Sequence, residues 1–181
     1  MIIFITGGAK NGKSSLAQQL ALQLAAGGVH YYIATMIPCD DEDRERIRLH
    51  REDRAGMGFE TIECGKDILS CLERADPAGT FLLDSATALL LNELFPDPTS
   101  CDMDVEAANR CADDLVTFSN CVANIVIVSD YIYSDAERYD EVTETYRRCL
   151  AAIDRKLAAA SDTVIEVSAG NLILHKGALP E

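Results

Sequence analysis

Short runs of apolar and β-branched residues alternate along the chain with longer stretches in which apolar positions recur every three or four residues. The first run, residues 1–6, has almost no polar alternation and stops at Gly7 and Gly8, the pattern of a strand covered on both faces of a parallel sheet. Residues 14–26 then carry leucines and alanines at helical spacing and end at Gly27-Gly28. The exchange repeats, predicting strands over 30–34, 59–63, 80–84 and 124–129 and helices over 41–54, 67–75, 86–94 and 105–119, with a proline-containing loop at 95–98. A charged stretch, 135–160, predicts a long helix with room for one break. Residues 163–167 and 172–175, around Ala169-Gly170-Asn171, predict a hairpin. Strands alternating with helices imply a three-layer α/β fold with a mostly parallel sheet and ligands at the carboxyl ends of its strands. Without an internal repeat or a linker-like boundary, residues 1–181 read as a single domain.

The junction between the first strand and the first helix carries chemistry. Gly7-Gly8-Ala9-Lys10-Asn11-Gly12-Lys13-Ser14 has the form GxxxxGK[ST], and it lies where that motif needs to lie, after a strand and before a helix. Its glycines let backbone N–H groups turn inward around a phosphate, and the helix aims its positive end at the same point. Lys13 then reaches the β- and γ-phosphates and the Ser14 hydroxyl serves Mg²⁺, so the segment predicts a nucleoside-triphosphate site in a P-loop NTPase (RecA-like) fold. A second magnesium ligand is expected at the end of a neighbouring apolar strand, and Phe81-Leu82-Leu83-Asp84 offers Asp84. The same carboxylate also suits an N-cap for the following helix, or a group that positions Ser85 and Thr87.

Composition narrows the partners. A formal net charge of -14 argues against a nucleic acid or a membrane surface as the main partner, because such polyanions are met by positive fields. Seven scattered cysteines without a CxxC pair read as reduced thiols, not as a disulfide framework or a zinc site, and no apolar run reaches the length of a membrane span. The expectation is a cytoplasmic protein. Against this acidic background, residues 44–54 concentrate Arg44, Arg46, Arg48, Arg51 and Arg54 around His50. On a helix Arg46, His50 and Arg54 share one stripe, in which guanidinium groups hold phosphates and favour a neutral, nucleophilic imidazole able to attack phosphorus. A solvated face on which Glu45, Glu52 and Asp53 pair with the arginines explains the same composition.

Several short segments, in order, carry a resemblance over nearly the whole chain. They are Thr6-Gly7-Gly8-Ala9, Tyr32-Ile33-Ala34-Thr35, Arg46-Ile47 followed by His50 and Arg54, Thr61-Ile62-Glu63-Cys64, Asp84 with Thr87, and Asn92-Glu93-Leu94-Phe95. Leu157-Ala158-Ala159-Ala160-Ser161-Asp162 and the closing Ala169-Gly170 hairpin extend the set. Together they resemble the bifunctional adenosylcobinamide kinase/adenosylcobinamide-phosphate guanylyltransferase family. The resemblance implies phosphorylation of the aminopropanol hydroxyl of adenosylcobinamide by ATP or GTP, then transfer of GMP from GTP to that phosphate, in cobalamin biosynthesis. It implies a GMP-histidine intermediate on His50, with Lys13 serving the phosphates. It further implies guanine-nucleotide contacts at Thr35, Met36, the segment Arg51-Glu52-Asp53-Arg54, Glu63 and Asp84, a corrinoid acceptor, and a homo-oligomer, in the family a trimer.

Two stretches depart from the family pattern. Ser129-Asp130-Tyr131-Ile132-Tyr133 replaces an Asn-Glu-Val-Gly type run, and Asp154-Arg155-Lys156 stands where an Asn-Gln pair is usual. Both are expected near the corrinoid or a subunit contact, with Tyr131 and Tyr133 either packed aromatics or a stacking platform. Two other readings of the P-loop compete: a small-molecule kinase without guanylyl transfer, and a nucleotide-regulated binding module.

Overall fold

The computed structural model describes residues 1–97, 99–100, 102–133 and 136–180. Strand β1 (Ile2–Gly7) leads into helix α1 (Lys13–Ala25), followed by β2 (His30–Ala34), α2 (Asp41–Asp53), β3 (Glu60–Glu63), β4 (Thr80–Asp84) and α3 (Ala86–Leu94). Then come α4 (Val105–Cys121), β5 (Asn124–Asp130), α5 (Glu141–Ala160), β6 (Thr163–Ser168) and β7 (Asn171–Lys176). The strands form one sheet in the order β3-β2-β4-β5-β1-β6-β7, parallel except for the antiparallel pairing of β6 with β7. The architecture is that of the predicted α/β fold.

Alternation along the buried strands sorts side chains into two layers. Phe4, Ile33, Phe81, Leu83, Ile125 and Ile127 meet α3, α4 and α5 on one face, while Ile3, Ile5, Tyr32, Leu82, Val126 and Val128 meet α1 on the other. Burial on both faces is why these strands read as continuous apolar runs. Strand β7 closes the sheet as an open edge, with Leu172, Ile173 and Leu174 exposed.

Two expectations are corrected. Residues 67–75 do not form an α-helix; a 3₁₀ segment, Ile68–Glu73, stands there. Its two buried side chains, Ile68 and Cys71, are three residues apart, the spacing at which 3₁₀ side chains eclipse. The long C-terminal helix starts at Glu141, unbroken, because Asp140 caps it by accepting a hydrogen bond from the Thr143 N–H at 2.9 Å. Residues 136–140 carry no helix, and Asp135, where the helix was expected to begin, lies outside the described residues, as do Pro98 of the predicted loop and Cys101.

Candidate active site

The P-loop is shaped by two glycines for different reasons. Gly7 lies against β6, where an added Cβ would meet the Val167 carbonyl oxygen at 2.4 Å, so the backbone approach itself requires glycine. Gly12 has open space around it but takes φ 87° as the N-cap of α1, a conformation glycine adopts without steric cost. Asn11 ties the loop down by donating from Nδ2 to Val167 O at 3.3 Å. Lys13, only 5% exposed, opens α1 and turns its ammonium back into the loop. Its Nζ donates to Gly8 O at 2.6 Å and pairs with Asp130 Oδ1 at 2.6 Å. Asp130 ends β5, directly beside Gly7 in the parallel register.

Across from the loop lies α2, which has no buried residue of its own. Asp40 caps it, accepting from the Asp43 N–H at 2.8 Å, and its first turn is acidic, as the positive end of a helix favours. The outer face is held by local ion pairs: Arg48 bonds Glu45 at 2.5 Å and also Glu52, and Arg44 reaches Asp41 at 3.3 Å. The solvated-face reading therefore holds for Arg44 and Arg48.

The inner face differs. Arg54, the C-cap of α2, is buried, with its guanidinium 3.8 Å over the Tyr32 ring and its Nη1 donating to the His50 carbonyl at 2.9 Å. The Tyr32 hydroxyl donates to Asp84 Oδ2 at 3.0 Å. Burial, reinforced by the Asp84 carboxylate, pushes the phenol well above its ordinary range, so it remains a donor. Arg54, Tyr32 and Asp84 thus tie the end of α2 to the ends of β2 and β4.

These elements enclose a cleft of about 540 Å³, lined by the P-loop from Ala9 to Ser15 together with Arg46, His50, Asp53, Asp84 and Asp130. A narrower pocket adjoins it, lined by Tyr32, Met36, Arg46, His50, Arg51, Arg54, Glu63 and Asp84. His50, Arg46 and Asp84 face both. Within the narrow pocket Arg51 pairs with Glu63 at 2.7 Å.

A family model described as cobinamide kinase / cobinamide phosphate guanyltransferase matches residues 3–174 of this chain. The chain belongs to that family. It is 31% identical to the bifunctional adenosylcobalamin biosynthesis protein CobU of Salmonella typhimurium, over 94% of this chain and 97% of the relative. It is 30% identical to CobU of Escherichia coli, with the same coverage. Among solved structures a KaiC-like protein of the hyperthermophilic archaeon Pyrococcus horikoshii aligns with a TM-score of 0.53 at 11% identity, covering 97% of this chain and 79% of that one. The flagellar accessory protein FlaH of Methanocaldococcus jannaschii gives 0.51 at 14%, covering 97% and 78%. Those two likenesses concern the fold alone.

In this family member, most residues singled out from sequence converge. Ala9 to Ser14, His50, Asp53 and Asp84 line the cleft, Met36, Arg51, Arg54 and Glu63 line the pocket beside it, and Gly7 and Gly8 shape the loop. Thr35 and Glu52 line neither. Thr35 is fully buried and clips β2 to the start of α3, accepting from the Ser85 N–H at 2.7 Å and donating to Ser85 O at 2.8 Å. Glu52 is exposed and engaged by Arg48. Sequence reasoning passed over Tyr32 and Asp130 as site residues. The signal for Asp130 was available, since β5 is an apolar strand ending in a carboxylate just as β4 is.

The two departing stretches meet each other. Tyr133 OH donates to Asp154 Oδ2 at 2.7 Å and Ser129 Oγ to Asp154 Oδ1 at 2.8 Å, while Tyr131 OH donates to Glu166 at 3.1 Å. Burial pushes the Asp154 carboxyl up to about 6, against the bonds it accepts from Tyr133 and Ser129.

Proposed function

We propose that this protein phosphorylates cobinamide with a nucleoside triphosphate and then transfers GMP from GTP to the cobinamide phosphate, with His50 carrying the GMP between the two. The observation that carries this reading is the position of His50, which faces both the P-loop cleft and the adjoining pocket. A triphosphate whose β- and γ-phosphates rest on the loop and Lys13 extends its α-phosphate and nucleoside toward α2. The imidazole nitrogen attacks the α-phosphorus, an N–P bond forms, and the α–β bridging P–O bond breaks with its electron pair leaving on pyrophosphate. A phosphate oxygen of the acceptor then attacks the same phosphorus and the imidazole leaves.

Family membership supports both half-reactions, and the exposed Arg46 and Arg51 beside His50 supply cationic donors for the phosphates. Magnesium bound with a nucleotide is held by one or two protein oxygens and by the phosphates themselves. The Ser14 hydroxyl in the P-loop and the Asp84 carboxylate across the cleft match that donor set, and are the residues assigned to it. When bound, the ion neutralises charge that builds on the phosphates.

Intact-mass measurement after incubation with GTP and Mg²⁺, without acceptor, tests the reading. An acid-labile GMP adduct that maps to His50, and that is absent from His50→Ala, is the expected result. GTP binding without an adduct would leave a plain P-loop kinase, with His50 a bystander.

A further inference from the structure

Phosphorylating a hydroxyl requires a group that accepts its proton as the O–P bond forms. Among the carboxylates lining the P-loop cleft, Glu45 is engaged by Arg48, and Asp84 accepts from Tyr32 and is assigned to magnesium. Glu42 and Asp53 sit exposed on the rim provided by α2. Asp130 differs from all of these. Its Oδ1 lies 2.6 Å from Lys13 Nζ, the atom that serves the β- and γ-phosphates in a P-loop, so the carboxylate stands where a terminal phosphate oxygen would stand.

Its backbone is pinned. Asp130 pairs with Gly7 across the sheet, its N–H donates to Thr87 Oγ1 at 2.8 Å, and the next N–H, of Tyr131, donates to Gly7 O at 3.2 Å. A phosphate that takes over Lys13 displaces only the Asp130 side chain. The carboxylate then remains in the cleft beside the γ-phosphate, which is where an attacking hydroxyl has to arrive.

We infer that Asp130 is the general base of the phosphoryl-transfer step, held on Lys13 until a triphosphate displaces it. This assignment rests on the kinase half of the proposed function. In the step, the acceptor hydroxyl oxygen bonds to the γ-phosphorus, and the bridging P–O bond breaks with its electron pair leaving on the nucleoside diphosphate. The hydroxyl proton moves to an Asp130 oxygen and from there to water.

The test compares wild type, Asp130→Asn and Asp130→Glu in three measurements: kcat for cobinamide phosphorylation, Kd for a non-hydrolysable ATP analogue, and formation of the GMP adduct. The Asn variant is expected to lose about 10²-fold in kcat. It should bind the analogue as tightly as wild type or more tightly, because Lys13 is freed, and should form the His50 adduct at the wild-type rate. The Glu variant should recover part of kcat. Wild-type kcat in Asp130→Asn overturns the inference. So does a fall in kcat matched by equally weakened nucleotide binding, which would make Asp130 only a prop for Lys13. Absence of phosphorylation by wild type itself would instead sink the kinase reading, so the two failures are distinguishable.

Discussion

The two walls of the cleft are built on opposite principles. On one wall the P-loop and α1 grow out of the middle of the sheet: β1 is flanked by β5 and β6, Ala17, Leu20 and Ala21 are buried, and Lys13 itself is 5% exposed. The facing wall, α2, contributes no buried residue and is tied to the sheet near its C-terminal end, by Arg54 stacked on Tyr32 and by the exposed Arg51–Glu63 ion pair. Groups held by packing keep their geometry when the site is empty, whereas a helix held by a cation–π contact and an exposed ion pair opens at little cost. The P-loop is therefore prebuilt, and His50, the proposed nucleophile, rides on the element that is easier to move. That division suits the proposed mechanism, in which the loop holds a triphosphate for two reactions while His50 is exposed to a second substrate.

The largest break in this comparison is Lys13→Ala. Alanine is the best helix former, so α1 should stay folded. Losing the ammonium that serves the phosphates should lower phosphoryl transfer about 10³-fold. Adduct formation on His50 should fall with it, because the proposed mechanism places both triphosphates on the same loop. Persistence of the adduct at the wild-type rate would show that the guanylylating GTP does not use the cradle. Rates measured beside a far-ultraviolet circular-dichroism spectrum separate this from unfolding.

The rigid wall also carries a pH signature. The Asp154 carboxyl, buried beneath the end of β5, is pushed up to about 6 from an ordinary 3.8. Its proton is favoured in the folded protein, so the stability linked to it is fully present below pH 3.8 and is lost as pH rises through about 6. A shift of that size corresponds to about 3 kcal/mol at most. Asp154→Asn removes the titration while leaving one acceptor and one donor for Tyr133 and Ser129. The difference in Tm between the Asn variant and wild type should grow in favour of the variant from pH 4 to pH 6 and then level off. A difference independent of pH would mean that Asp154 does not titrate in this range.

Legibility in the sequence followed the same division. The central strands and the P-loop were readable because burial on both faces forces continuous apolar runs and the glycine positions answer to backbone geometry, as at Gly7 and Gly12. Helix α2 was readable as a helix, and four-residue spacing set Arg46, His50 and Arg54 on the stripe that lines the narrow pocket. What the spacing did not show is that Arg54 is taken up by packing, because only the position of Tyr32 buries its guanidinium there. Asp154 was hidden for a related reason, and of Asp130 only its place at the end of an apolar strand was legible, not its pairing. Each takes its meaning from a partner far along the chain, Lys13 in one case and Tyr133 and Ser129 in the other, and strand order is what brings such partners together. Thr35 illustrates the converse: its place beside the site was foreseeable, yet its hydroxyl is consumed by the Ser85 backbone.

The smallest expected effect, and the sharpest on the mobile wall, belongs to Arg54. Arg54→Ala removes a guanidinium stacked 3.8 Å over Tyr32 and a hydrogen bond to the His50 carbonyl, a loss of about 1–2 kcal/mol that falls on the end of α2. Amide exchange should quicken over residues 41–54 and stay unchanged in β1 and α1, whose packing does not involve Arg54. Phosphoryl transfer should persist, while formation of the GMP adduct slows about tenfold, the rate equivalent of 1.4 kcal/mol. Arg54→Lys should rescue little, because an ammonium offers neither the planar stack nor the same fork of donors. An unchanged apparent KM for GTP beside the slower rate would locate the defect in the placement of His50, whereas a raised KM would place Arg54 on the nucleotide itself. Equal exchange in α2 of variant and wild type would break the comparison, since the helix would then owe its position to something other than its C-terminal anchor.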